Sequence, residues 1–379
     1  MRILFVLPRY HPNQYFWTEA LHEAGHETRY LVHKKNPAHE AYDHAEPIAV
    51  PHHPAPRLLR WLIAAYLKLT AGKVRPNVVA WPSYRSLKAM VDEFAPELIV
   101  VREATLPLSL ATLLIAKRKR VPTMLYTQYP LEARDPLSVR VLRACGLIPH
   151  VRITPTKTPK ADTRLARPGA HYVPLVTDFP FDIDTKQYNQ AGVLNILSVA
   201  KFASKRKNHL LLLEAVAALS AKRPMHLTLV GGSAELEPDY YRQIEATVAK
   251  LGLSATVTLK TIVPFNEMRT LYQQADVFVL PSVREPFAIS PIEAMNFGAP
   301  VILTNSNGAQ HAVETGVNGF VVAANDQLAL TEALAAITKD TGTIALMGRA
   351  AYQHQQTHFT KAVFLSHWNT AVAAAQADH

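Results

Sequence analysis

The feature that most constrains this chain is its alternation of short, apolar, β-rich runs with stretches of helical period. In the second half, VLNILSVAK (193–201), HLTLVGG (226–232), ATVTLKT (255–261), DVFVLPS (276–282) and PVILTN (300–305) alternate with helix-period segments over 209–220, 240–251, 266–275 and 291–297. Apolar, β-rich runs paired with helix-period stretches fit a parallel sheet with helices on both faces. Five such strands with crossover helices predict a doubly wound sheet. The first half repeats the theme with RILFVLP (2–8), a helix over 14–24, ETRYLV (27–32), ELIVV (97–101), a helix over 106–116 and PTMLYTQ (122–128). At 379 residues the chain exceeds the usual size of one hydrophobic core. The expected organisation is an α/β fold of two Rossmann-like doubly wound domains. The first spans 1–180, a linker spans 181–192, the second spans 193–341, and terminal helices fill 342–379.

Composition narrows the class without naming it. Nearly half of the residues are hydrophobic and 18% are charged, as in a packed globular enzyme. The single cysteine, Cys145, has no intrachain partner for a disulfide, which suits a reducing cytosol. No apolar run reaches the ~18 residues that span a bilayer, and the opening strand lacks the layout of a secretory signal. The expected location is therefore cytoplasmic. The 17 histidines, His52, His53 and His150 among them, show no ligand spacing, so no metal is expected. The charge is unevenly divided. Residues 1–180 carry 25 Lys plus Arg against 14 Asp plus Glu, or +11, whereas residues 181–379 carry 15 against 16, or −1. The segment RLLRWLIAAYLKLTAGKVR (57–75) interleaves Arg57, Arg60, Lys68, Lys73 and Arg75 with Trp61, Tyr66 and leucines. Read as a helix, it is either a packed element with snorkelling stems or an interfacial segment for an anionic membrane.

In doubly wound sheets, ligands bind beyond the carboxyl ends of strands, so polar residues there are the candidates. The strongest local pattern is EPFAISPIE, from Glu285 to Glu293. Ser290, Pro291 and Glu293 have the spacing of a helix-starting capping box, which accounts for Glu293 without a ligand. Glu285 has no such role, so its removal is expected to leave stability unchanged. A helix N-terminus also suits an anion such as a diphosphate, and two carboxylates flanking it suit the hydroxyls of a nucleotide sugar. Lys201 closes a strand, and SKRKN (204–208) leads into the next helix; these cations suit a pyrophosphate leaving group. Gly231 and Gly232 form a tight strand-to-loop turn that could also admit a nucleotide base, and Ser282 ends the strand before Glu285.

Together these segments resemble the retaining family 4 glycosyltransferases of the GT-B fold. The similarity is densest over 193–322, through VLNILSVAKF, KNHLLLLEA, HLTLVGG, LYQQADVFVLPS, EPFAISPIEAMNFGAPVILT and ETGVNGFVV in order. Over 1–180 it rests on the opening strand, AGHE (24–27) and the strand order. The resemblance implies a retaining glycosyltransferase, moving a sugar from a nucleoside diphosphate to a glycan or lipid-linked acceptor, as in surface polysaccharide or lipopolysaccharide synthesis. The first domain would take the acceptor and the second the donor, and the terminal helices would cross back onto the first. Glu285 would hold the donor sugar and Glu293 the ribose. Lys201 and either Lys207 or Arg206 would contact the diphosphate, with Ser282, the backbone around Phe287 and Ala288, and Ile289 nearby. No cofactor or metal is implied beyond the nucleotide-sugar substrate. No nucleic-acid partner is expected, while an anionic membrane surface is.

The chain departs from the family at several points. Lys201 stands where Arg is usual and Ala288 where Gly is common. PRYHPNQYFW (8–17) replaces a Gly-Gly loop, VPLVTD (173–178) replaces an Asn-Gly turn, and Gln128 occupies a frequent His position near the reacting sugar. The competing readings are a sugar-nucleotide epimerase and, outside enzymes, a basic nucleic-acid-binding protein. The first lacks the Glu285/Glu293 spacing and the second lacks a recognition motif.

Overall fold

The computed structural model describes residues 1–35, 46–54, 80–157, 168–202, 205–232, 238–261 and 263–378. The 57–75 segment and Ser204 lie outside them. The chain divides into two compact units: one of residues 1–155, 162–173 and 364–379, the other of 156–161 and 174–363.

The first unit is built on β1 (Arg2–Leu7), whose last five residues are all buried because helices cover both faces of the sheet. With β2 (Glu27–Val32), β3 (Ile48–Ala49), β6 (Leu98–Arg102), β7 (Thr123–Tyr126), β8 (Arg152–Thr154) and β9 (Ala170–Tyr172) it forms a parallel sheet of order β3-β2-β1-β6-β7-β8-β9. A separate antiparallel pair joins β4 (His52–Pro54) to β5 (Ala80–Pro82).

Side chains alternate across the sheet. Leu4, Val6, Ile99, Val101 and Leu125 face a core shared with α2 (Tyr84–Phe94), α3 (Pro107–Lys119) and α4 (Leu137–Ala144). The opposite face is aromatic. Phe5 stacks on Tyr30 with ring centroids 4.8 Å apart, and α1 (Tyr15–Glu23) brings Trp17 within 5.3 Å of Tyr126. The last helix of the chain, α11 (Lys361–Ala377), adds Phe364 at 5.1 Å from Trp17 and Trp368 at 5.9 Å from Phe5.

The second unit holds β10 (Leu194–Val199), β11 (Met225–Val230), β12 (Val257–Lys260), β13 (Val277–Leu280), β14 (Val301–Thr304) and β15 (Gly319–Val322). Its parallel order is β12-β11-β10-β13-β14-β15. The sixth strand, Gly319–Val322, exceeds the five expected; it is four residues long and opens on glycine, too short for a period to show. The helices are α5 (His209–Ser220), α6 (Pro238–Lys250), α7 (Phe265–Gln274), α8 (Ser290–Asn296), α9 (Gln327–Ile337) and α10 (Thr341–His358). Among the described residues no helix is long and apolar enough to cross a membrane.

The stretch 181–192 is packed into this unit. The Asp276 carboxylate accepts the backbone N–H groups of Asn189 at 2.8 Å and Asn195 at 2.7 Å, and its burial pushes its pKa up. Lys186 donates to the carbonyls of Gln273 and Ala275, and burial lowers its pKa to about 8.

Trp368→Ala is expected to remove about 3–5 kcal/mol of stability by opening the aromatic face. Leu346→Ala, at a position 74% exposed, should stay within about 0.5 kcal/mol of the parent. Thermal unfolding of the two variants side by side checks this.

Candidate functional site

In the second unit the chain lays down β10, β11 and β12 in one direction, then returns to the other side of β10 for β13, β14 and β15. Loops leaving adjacent strands at such a reversal diverge to opposite faces and open a crevice between them. Lys201 follows β10 and residues 281–289 follow β13, so the sequence candidates sit at this point.

Hydrogen bonds fix the loop after β13 against its neighbours. Glu285 and Asn307 form an isolated parallel bridge, in which the Glu285 N–H donates to Ser306 O at 3.0 Å and the Gly308 N–H to Glu285 O at 2.8 Å. Ser282 is wholly buried; its carbonyl accepts from Thr304 Oγ1 at 2.5 Å and its hydroxyl from Asn307 Nδ2 at 3.4 Å. A Cβ on Gly308 would lie 1.8 Å from the Pro286 carbonyl oxygen, so this close approach requires glycine.

On the other side, the turn Lys205–Lys207 is joined to the same loop. The Val283 N–H donates to Arg206 O at 2.7 Å, the Arg206 guanidinium to Arg284 O at 2.7 Å, and Lys207 Nζ to Glu285 Oε2 at 2.5 Å. The side chains of Lys207 and Glu285 are 15% and 10% exposed, so this ion pair is largely withdrawn from water. The expectation that Glu285 could be removed without loss of stability is therefore corrected: its absence leaves a shielded lysine without its carboxylate.

Beyond this pair, Phe287 and Ala288 turn their side chains inward, at 4% and 8% exposure, with Ile289 next in the chain. Among the described residues, the backbone N–H groups of Ala288, Ile289 and Ser290 meet no acceptor. They form a cluster of donors where α8 begins.

The capping box is not formed. Ile289 precedes α8 and no side chain caps it; Ser290 Oγ donates instead to Val199 O at 3.3 Å. Glu293 turns away to accept a 2.6 Å bond from the Tyr272 hydroxyl. Burial raises the Glu293 pKa, against the lowering effect of that hydrogen bond, and pushes the Tyr272 phenol well above its usual range. Tyr272 lies parallel to Phe297 at 6.0 Å. The sequence singled out neither Tyr272 nor this contact, which joins residues 21 positions apart.

Lys201 is exposed at the end of β10, followed by the buried Phe202. A Cβ on Gly231 would fall 2.4 Å from the Phe202 ring, which gives this glycine a packing reason; Gly232 follows, partly exposed. His209, also unnoticed in the sequence, is buried at the start of α5. Its Nε2 lies 3.1 Å from Ala200 O and its Nδ1 3.3 Å from the Tyr240 hydroxyl, and burial lowers its pKa to about 4. It is a neutral strut beneath the loop that carries Lys201.

In the first unit, Gln128 follows β7. Its Oε1 accepts from Arg102 at 3.1 Å and its Nε2 donates to the Tyr126 hydroxyl at 3.4 Å. The structure thus brings Lys207, Arg206, Glu285 and Ser282 into one bonded group and sets Glu293 on Tyr272, while Gln128 belongs to the other unit.

Residues 182–354 match the family described as Glycosyl transferases group 1. The D-inositol 3-phosphate glycosyltransferase of Corynebacterium urealyticum is 32% identical over 146 residues, 38% of this chain and 34% of that protein. The matched stretch thus spans about a third of the relative's length. Among solved structures, a glycosyltransferase from Rickettsia africae superposes with a TM-score of 0.74 at 14% identity, covering 100% of this chain and 98% of that one. Anabaena Alr3699/HepE in complex with UDP-glucose gives 0.70 at 18%, covering 99% and 100%. The fold is GT-B, with two Rossmann-like domains.

Two outcomes test the geometry without any ligand. Glu285→Ala should lower stability by about 1–3 kcal/mol, and adding Lys207→Met should restore part of it. Denaturant unfolding of the single and double variants reads this, and a neutral Glu285→Ala would refute the shielded pair. The Glu293 carboxyl, followed by carbon-13 NMR, should titrate above the ordinary carboxylate range. Its midpoint should move higher still in Tyr272→Phe, which removes the bond that favours the charged form.

Proposed function

We propose that this chain, with its Glycosyl transferases group 1 domain, is a retaining glycosyltransferase of the family 4 type that uses a nucleoside diphosphate sugar. The observation that carries this reading is the largely buried Lys207–Glu285 pair beside the donor cluster at the start of α8. An ammonium has three N–H donors, and one goes to Glu285. The others suit a diphosphate oxygen, with Lys201 as a second cation and the N–H groups of residues 288–290 as neutral donors. A carboxylate beside this anion site repels phosphate and favours hydroxyls, so Glu285 would grip the sugar and Glu293 the ribose.

In the proposed step the bond between the anomeric carbon and the diphosphate oxygen breaks as the acceptor hydroxyl bonds that carbon from the same face. The acceptor's proton passes to the departing diphosphate, whose growing charge Lys201 and Lys207 stabilise; this chemistry requires no divalent ion. The acceptor is proposed to be a glycan or a lipid-linked glycan of surface polysaccharide synthesis, bound by the first unit with Gln128 nearby. The UDP-glucose complex of Anabaena Alr3699/HepE makes uridine the first base to try.

A thermal-shift screen with UDP, GDP, ADP and their sugars should raise the melting temperature for one base, because a ligand that binds only the native state stabilises it. Lys201→Ala and Lys207→Ala should each weaken binding of that diphosphate far more than of its nucleoside, and EDTA should leave transfer unchanged. Equal losses for both ligands, or a strict need for a divalent cation, would refute the assignment of these lysines.

A further inference from the structure

The first sheet also reverses its order of addition. The chain lays down β1, β2 and β3 in one direction, then returns to the other side of β1 for β6, β7, β8 and β9. The loops that leave β1 and β6 therefore diverge and open a crevice at the carboxyl ends of these two strands. There β6 ends on Arg102, and its neighbour β7 ends on Tyr126, the register partner of Arg102. Ile99 and Val101 of β6 enter the core shared with α2, α3 and α4, so alternation puts Arg102 on the opposite, aromatic side of the sheet.

The guanidinium of Arg102 is braced but not spent. Its central carbon stands 5.3 Å from the centroid of the Tyr126 ring, and its Nη2 donates to Gln128 Oε1 at 3.1 Å. Gln128 is tied in turn to the Tyr126 hydroxyl at 3.4 Å. Stacking and this bond fix the plane of the guanidinium while using one of its five N–H donors. Among the described residues the carboxylate that approaches it is that of Glu103, 3.9 Å from Nε, too far for a hydrogen bond. Nη1 meets no acceptor among the described residues. The Arg102 side chain is 19% exposed, so its free donors stay within reach of a ligand. The backbone beside it is strained: Glu103 has a φ of +56°, in the left-handed region. Ser109 Oγ holds this turn by donating to Arg102 O at 2.8 Å, and the Leu106 N–H by donating to Glu103 O at 3.0 Å. Strain kept in place in this way at a strand exit points to a site.

We propose that Arg102 determines acceptor specificity by holding an anionic group, a carboxylate or a phosphate, on the sugar that receives the transferred residue. A planar guanidinium with unspent donors in one plane matches two oxygens of such a group. A neutral hydroxyl would take one donor and leave the charge uncompensated in a half-closed setting, where charge pairing is stronger than in water. Gln128 and Tyr126 act as positioning residues, because they fix the guanidinium and leave its other edge open. The proposal rests on the reading of the first unit as the acceptor's, and narrows that acceptor to an acidic one.

The experiment is titration of the full chain with glucose, glucuronate and glucose 6-phosphate, which share a ring and differ in the anion. At least one of the two anionic sugars should bind about tenfold more tightly than glucose, and the tighter one tells carboxylate from phosphate. Arg102→Gln should abolish that preference. Gln128→Glu, which keeps the side chain's shape and sets a carboxylate against Nη2, should abolish it too while the melting temperature holds. Lys201→Ala should leave the preference intact, because that lysine belongs to the proposed donor site. UDP binding, measured on the same variants, reports on the donor site separately: its absence from the parent would count against the nucleotide reading and not against Arg102. Equal binding of all three sugars to the parent, or a preference that survives both Arg102→Gln and Gln128→Glu, would overturn the proposal. So would a preference lost in Lys201→Ala, which would place the anion at the donor site.

Discussion

The structure of the second unit depends on one constraint: a parallel sheet must reverse its order of addition at some strand, and here it does so between β10 and β13. The central strands are largely buried because helices cover both faces, so the sheet interior offers little place for polar chemistry. Polar loops leave the carboxyl ends, and the reversal decides which of these ends face an open crevice. Lys201 and the 281–289 loop are neighbours for that reason, although some 80 residues separate them in the chain.

At the crevice, rigidity comes from backbone bonds as much as from side chains. The loop carrying Glu285 is held by Ser306 and Gly308 on one flank and by Arg206 on the other before any ligand arrives. A site held in this way loses little conformational freedom when it binds, which favours preorganised electrostatic stabilisation of a leaving anion. The Lys207–Glu285 pair serves the same end: each side chain holds its neighbour in place where water is largely excluded. Beneath them, His209 and Phe202 form the packed floor of the β10 exit, and Gly231 is glycine because Phe202 leaves no room for a side chain.

Several elements were legible in the sequence for identifiable reasons. The runs at 193–201, 226–232 and 276–282 announce buried parallel strands because burial on both faces demands a mostly apolar run. Their ends announce Lys201, Gly231 and Ser282 because polar residues resume where the sheet stops. Glu285 stood out as a carboxylate without a local task. Less was visible where local pattern and tertiary contact disagree. Ser290 and Glu293 have the spacing of a capping box, yet each finds a better partner across the fold, in Val199 O and the Tyr272 hydroxyl. The strand Gly319–Val322 is too short to carry a period of its own.

The sequence by itself determined two doubly wound sheets, the strand ends at which chemistry can sit, and the concentration of positive charge in the first half, because hydrophobic period and residue type are properties of local chain. Tertiary structure alone decided that Lys207 pairs with Glu285, that Tyr272 holds Glu293 and that His209 stays neutral. The physical reason is the same in each case. Partner choice and the cost of burying a charge depend on which groups remote segments bring together, and a linear pattern carries no record of that proximity.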